Sequence, residues 1–140
     1  MKSIVMLMAG AMAAGSIVAA QAATHLTVYQ DPNCGCCTGW VKHMESEGFT
    51  VTSIKTSDVA RHKSRLGVPS QLSSCHTAII AASGQVVEGH VPANVVNKLL
   101  AQPTVKGVAA PGMPANAPGM GVLDGNLVTV DFNGREFSRD

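Results

Sequence analysis

Apolar and polar positions along this chain fall into short blocks, each closed by turn residues. Leu26-Thr27-Val28-Tyr29 alternates with period two in β-forming residues, which predicts a strand. Asp31-Pro32-Asn33 is turn chemistry. From Cys37 the period changes. Cys37, Trp40, Val41 and Met44 recur at i, i+3, i+4 and i+7, the stripe of an amphipathic helix, with Lys42, His43, Glu45 and Ser46 on the other side. Gly48 is placed to end that helix. Phe49 to Ile54 alternates again as a second strand, and Ser57-Asp58 can cap a helix that reaches Leu66 and stops at Gly67 and Pro69. Thr77 to Ala81 and Gln85 to Glu88 flank Ser83-Gly84 and predict an antiparallel hairpin. Pro92 opens a last helix carrying Val95, Val96, Leu99 and Leu100, and Pro103 closes it.

The predicted order is β-α-β-α-β-β-α, which points to an α/β, thioredoxin-like fold: a central mixed sheet with helices on both faces. Beyond Pro103 the pattern lapses. Gly107 to Gly121 holds Pro-Gly-Met-Pro and Pro-Gly-Met, has no amphipathic period, and is expected to be loop-like. Leu127 to Phe132, Asn133-Gly134 and Arg135 to Phe137 then predict a C-terminal hairpin.

The N-terminus follows a different logic. Lys2, the apolar run from Ile4 to Ala20 and the small-x-small site Ala20-Gln21-Ala22 read together as a secretory leader expected to be cleaved after Ala22, the alternative being an uncleaved anchor. The expected organisation is therefore a signal peptide over 1–22, a metal-binding domain over 23–103, and an extension over 104–140 packed on the same domain. Cleavage leaves 118 of the 140 residues, enough for one core, and no later segment is apolar for long enough to span a bilayer. It also removes Lys2, leaving nine Lys and Arg against nine Asp and Glu. A chain with no basic field is not built to neutralise phosphates, which argues against a nucleic-acid partner.

All four cysteines, Cys34, Cys36, Cys37 and Cys75, remain in the mature chain. An exported compartment favours disulfides, but three thiols within four residues cannot each reach a distant partner when one other cysteine exists. Cys34 and Cys37 form a C-x-x-C at a strand-to-helix junction, with Cys37 the inner sulfur because it starts the apolar stripe. Cys36 is a third thiol that would compete for mixed disulfides in an ordinary dithiol enzyme. Cys75 opens the third strand and is expected to face the other three. Four soft donors suit Cu(I) and, less specifically, Zn(II). Adjacent Cys36 and Cys37 diverge by about 100° around a helix, which fits bridging sulfurs in a multinuclear copper site better than one zinc tetrahedron.

The segments Asp31-Pro32-Asn33-Cys34-Gly35-Cys36-Cys37-Thr38-Gly39-Trp40, Leu72 to Thr77, Val87 to Ala93 and the two Pro-Gly-Met units resemble, in that order, the CopG-type copper-resistance proteins. The resemblance spans about Leu26 to Gly121. It implies a periplasmic metal-binding protein with a thioredoxin-like fold. It further implies a copper–thiolate site at C-x-C-C plus the distal cysteine, and a role in interconverting Cu(I) and Cu(II) during copper resistance.

Around that set, His76 is a candidate donor or a strand-orienting loop residue, and His90 a candidate donor or, more simply, a cap on the last helix. Met113 and Met120 are candidate thioether donors to Cu(I) or hydrophobic plugs. His25, His43 and His62 read as solvent-facing, and Trp40 as core. The leading expectation is an exported protein holding more than one copper, as Cu(I) and, with redox cycling, Cu(II). Other exported copper-resistance proteins are its expected partners. A thiol–disulfide oxidoreductase using Cys34 and Cys37, and a passive copper store or chaperone, are the alternatives. Intact-mass measurement on exported material should give a mature chain beginning at Ala23. A dominant species retaining Met1 to Ala22 would mean an uncleaved anchor.

Overall fold

The computed structural model describes residues 20–140. The predicted leader lies outside the described residues except for Ala20, Gln21 and Ala22, which are exposed and belong to no element. Among the described residues no helix is long and apolar enough to cross a membrane.

In chain order the elements are β1 (His25–Gln30), α1 (Gly35–Ser46), β2 (Thr50–Lys55), α2 (Val59–Arg65), a single 3-10 turn (Ser70–Leu72), β3 (His76–Ile80), β4 (Val86–Glu88), α3 (Ala93–Leu100), β5 (Gly107–Ala109), β6 (Val128–Asp131) and β7 (Glu136–Arg139). They build a mixed α/β fold on one seven-stranded sheet ordered β2-β1-β3-β4-β5-β6-β7. β1 and β2 are parallel, as are β4 and β5, and the remaining neighbours are antiparallel.

The period-two pattern decides which helix covers which face. Leu26 and Val28 of β1 pair with Ile80 and Ala78 of β3, and Ala78 pairs with Val87 of β4. These side chains form the core with Trp40 and Met44 of α1 and Val96 and Leu99 of α3. Full burial of side chains of this size contributes about 1.5–3 kcal/mol each. The alternate positions, Tyr29, Thr77 and Glu88, face α2, where the His62 ring stacks on Tyr29 at 3.9 Å and Lys63 pairs with Glu88. β2 is an edge strand, exposed at most of its positions.

Two expectations are corrected by the packing. Gly107–Ala109, read from sequence as loop, is a fully buried strand parallel to β4. Three residues are too few to display a period, and the strand exists because β4 offers it an edge. It carries β6 and β7, the predicted hairpin, into the same sheet. The cap on α3 is also reassigned. Pro92 is its N-cap residue, and the Ala93 N–H donates to His43 Nε2 at 3.1 Å. The half-buried His43, expected in solvent, therefore does what was expected of His90. α1 and α3 share one face of the sheet, so a side chain at the margin of α1 reaches the first turn of α3. At the other end, the Gln85 side-chain amide lies 2.8–3.1 Å from the carbonyls of Leu99, Gln102 and Val105 and closes that helix.

His43 can accept the Ala93 N–H only while neutral. Burial lowers its pKa from the ordinary value, opposed by nearby Glu47. The folded chain therefore binds fewer protons than the unfolded one, so this contribution is complete above about pH 6.5 and is lost as pH falls from there through the lower folded value. Urea unfolding of the reduced protein should show lower stability at pH 5.5 than at pH 7.5. His43→Gln, which keeps an acceptor that does not titrate, should reduce that difference, and an undiminished difference would remove His43 as a source.

Candidate metal centre

Strand direction brings four stretches of chain to one edge of the sheet. β3 is antiparallel to both β1 and β4, and β5 is parallel to β4, so the C-terminal ends of β1, β4 and β5 lie beside the N-terminal end of β3. β1 leads into Cys34-Gly35-Cys36-Cys37, β4 into Gly89-His90, and β5 into the Pro/Gly/Met tail, while Cys75 stands immediately before β3. Gly89 permits this closeness. It has φ +74°, and a Cβ there would meet Ser74 Cβ at 2.6 Å and the Ala110 carbonyl at 2.8 Å.

Cys34 is the N-cap residue of α1, and an Asx turn, Asn33 N–H to Asp31 Oδ1 at 2.8 Å, sets the approach. The buried Cys37 starts the α1 stripe, whereas Cys34, Cys36 and Cys75 are partly exposed. Cys36 Sγ lies 3.4 Å from Cys34 Sγ and 4.0 Å from Cys75 Sγ, and Cys75 Sγ lies 3.6 Å from Cys37 Sγ. The four sulfurs sit within 4.8 Å of one another. Cys34 and Cys37 are joined as a disulfide, and Cys36 and Cys75 are free thiols. All four sulfurs become available as thiolates only in the reduced chain.

Two histidines extend the set. Cys75 Sγ, His76 and His90 also bring one donor atom each within 4.8 Å of the others, so Cys75 belongs to both groups. His90 Nδ1 lies 2.7 Å from the Pro118 carbonyl, an acceptor, so Nδ1 carries the proton. In the neutral ring Nε2 is then the lone pair, and it faces Cys75 Sγ at 3.1 Å. Burial lowers the His90 pKa against that hydrogen bond, and the ring is neutral at pH 7. His76 is buried more deeply, with Nδ1 3.5 Å from Cys75 Sγ and its ring between Trp40 and His90. Burial, then the neighbouring His90 and Lys63, hold it well below the usual histidine range. Its Nε2 has no hydrogen-bond partner among the described residues, nor has Oε1 of Gln30, its cross-strand neighbour. Burial and the adjacent Cys36 push the Cys75 thiol up to about 11. A cation binding there as to thiolate must displace its proton.

The tail covers this edge through backbone contacts. Gly112 N–H donates to the Ser73 carbonyl at 3.3 Å, and Ser74 Oγ donates to the Gly112 carbonyl at 2.5 Å. Gly119, at φ +88°, lies so close to α1 that a Cβ there would meet Trp40 N at 2.7 Å and the Cys36 carbonyl at 2.8 Å. Each Pro-Gly-Met unit thus docks its glycine beside one part of the cysteine set. The following methionines do not plug the core: Met113 is 49% exposed and Met120 37%.

Two solved structures are similar to this chain over most of its length. One, named Copper resistance protein copG, Form 2, is 40% identical, covers 84% of this chain and 98% of its own, and superposes with a TM-score of 0.73. This chain belongs to the CopG copper-resistance family. A second member of the family, Copper resistance protein copG, Form 1, is 41% identical over 83% of this chain and 96% of its own, with a TM-score of 0.72. A family model described as "Protein of unknown function, DUF411" matches residues 72–120, the stretch from Leu72 through Cys75 and His90 to Met120. No curated protein matches the chain.

Sequence reasoning passed over Gln30, Lys63 and Glu88, which border the centre. The readable signal was a carboxylate ending an apolar strand, Val86-Val87-Glu88, where burial obliges it to find a cation. Gly119→Ala should destabilise the chain more than Gly112→Ala. The second carries left-handed strain alone, about 1–2 kcal/mol, because a Cβ at Gly112 meets nothing within 4 Å. The first adds a backbone collision of about 1–3 kcal/mol. Urea unfolding of both variants measures the difference, and equal losses would mean that the tail does not bear on α1.

Proposed function

We propose that this protein is an exported copper-binding protein of copper resistance that holds Cu(I) through the thiolates of Cys34, Cys36, Cys37 and Cys75. The observation that carries the reading is the position of Cys36, whose sulfur lies between Cys34 and Cys75 at 3.4 and 4.0 Å. A dithiol enzyme has no use for a sulfur there, whereas soft thiolates sharing metal ions do. Sulfurs this close favour bridging, hence more than one copper per chain. His76 and His90 supply neutral nitrogen donors on the Cys75 side, and the exposed Met113 and Met120 offer thioethers at the rim. The family resemblance supports copper as cargo, and the leader-like N-terminus supports the periplasm as the compartment, with other exported copper-resistance proteins as partners. The strand order β2-β1-β3-β4 and the C-x-x-C at the start of α1 favour reading residues 23–103 as a thioredoxin-like domain whose sheet the segment 104–140 extends.

Redox interconversion follows from the same sulfurs. Two Cu(II) ions can each take one electron from the Cys34 and Cys37 thiolates, giving two Cu(I) and one Cys34–Cys37 disulfide. Two electrons and two protons from a thiol reductant restore the dithiol. The disulfide between a buried Cys37 and a more exposed Cys34 also favours a second reading, a thiol–disulfide oxidoreductase.

Cys36→Ala separates the two. The copper reading expects a reduced protein titrated with Cu(I) under a competing chelator to break above one metal per chain, and the variant to break lower. The oxidoreductase reading expects insulin reduction to survive the change or improve. Thermal unfolding should hardly move, because Cys36 lies off the α1 core stripe. Unchanged copper loading would remove Cys36 from the ligand set and falsify the four-thiolate site, and robust insulin reduction beside it would leave the oxidoreductase reading standing.

A further inference from the structure

Glu88 and Lys63 form an ion pair that the copper reading does not use. Glu88 is fully buried at the end of β4, and the Lys63 side chain on α2 is 13% exposed. Glu88 Oε1 accepts both from the Lys63 ammonium and from the backbone N–H of Ser74, the latter at 3.1 Å. Ser74 immediately precedes Cys75, and residues 73–75 belong to neither a helix nor a strand. The ladder of β3 begins only at His76, so the carboxylate is the partner that holds the Ser74 N–H. The remaining backbone bonds of Ser73 and Ser74 run elsewhere: the Ser73 N–H donates to the Ser70 carbonyl of the preceding 3-10 turn, and the Ser73 carbonyl and Ser74 Oγ bond Gly112 of the tail.

A buried ion pair is a poor source of stability, since desolvation offsets most of its attraction and an apolar pair of similar volume often serves as well. Its retention here has a directional use. Lys63 fixes the carboxylate, the carboxylate fixes the Ser74 N–H, and one residue later the chain delivers Cys75 Sγ between Cys37 and His90. We propose that Glu88, held by Lys63, is a positioning residue that sets where Cys75 stands against Cys36 and Cys37. The inference rests on the copper reading for its purpose but not for its geometry.

The test compares two double variants of the full mature chain. Lys63→Met with Glu88→Leu removes both charges and the acceptor. Lys63→Met with Glu88→Gln removes both charges but keeps a side-chain oxygen for Ser74. Both should unfold within a few degrees of the parent. In the reduced, copper-free Leu variant, hydrogen exchange of the Ser74 amide should accelerate at least tenfold and alkylation of Cys75 should quicken. Its Cu(I) break point should fall. The Gln variant should return all three towards the parent values, which a role in stability alone would not produce. Parent-like exchange and alkylation in the Leu variant would overturn the inference. Should that variant fail to fold, Glu88→Asp decides: it keeps the charge for Lys63 but withdraws the oxygen by one methylene. Faster Ser74 exchange then supports the positioning role, and unchanged exchange overturns it. A parent protein that takes up no copper would defeat the proposed function, while exchange and alkylation would still decide the role of Glu88.

Discussion

The antiparallel register between β1 and β3 is the constraint on which the centre depends. Gln30, the last residue of β1, stands opposite His76, the first of β3. The chain that leaves β1 enters the C-x-C-C turn, and the chain that enters β3 has just passed Cys75. A strand running the other way would put Cys75 at the far end of the sheet. A slip of one residue would turn His76, Ala78 and Ile80 away from α1 and α3 and expose the core. The apolar alternation that folds the sheet is therefore also what brings a cysteine thirty-eight residues away in sequence to 3.6 Å from Cys37.

The centre is nearly free of charge of its own. Burial keeps His76 and His90 neutral and the Cys75 thiol protonated. The formal charges nearby, Lys63 and Glu88, cancel one another on the α2 side. A bound cation would therefore find imidazoles that already offer a lone pair and a Cys75 thiol that becomes a good donor as it loses its proton. Copper affinity on the proposed reading is coupled to proton release, and the ion itself supplies the charge that stabilises the thiolates.

Most of the local structure was legible because short periodic blocks were bounded by glycine and proline. The α1 stripe, the β3–β4 hairpin and the C-terminal hairpin all follow from such blocks. The four cysteines were legible as a group because C-x-C-C and a strand-opening Cys75 leave few other arrangements. What sequence could not convey depended on neighbours. β5 is a strand only because β4 lies alongside it. His43 meets the first turn of α3 only because two helices share a face, so the capping role weighed for His90 falls to it while His90 stands beside Cys75. Glu88 looked like an ordinary strand end until its pairing with Lys63 and the Ser74 N–H gave it a direction.

The disulfide between Cys34 and Cys37 gives the centre two compositions rather than one. With the bond formed, the free donors are two sulfurs, Cys36 and Cys75, and two imidazoles, His76 and His90. With it reduced, four sulfurs outnumber the nitrogens. Nitrogen-rich sets suit Cu(II), and thiolate-rich sets suit Cu(I). On the proposed reading the electrons that convert Cu(II) to Cu(I) come from the Cys34 and Cys37 thiolates, so oxidation of the protein and reduction of the metal occur together. Each turnover would then leave newly formed Cu(I) in a site that has just lost two of its soft donors. A passive store would have no reason to weaken its grip at that moment, whereas a protein that converts copper and passes it on would.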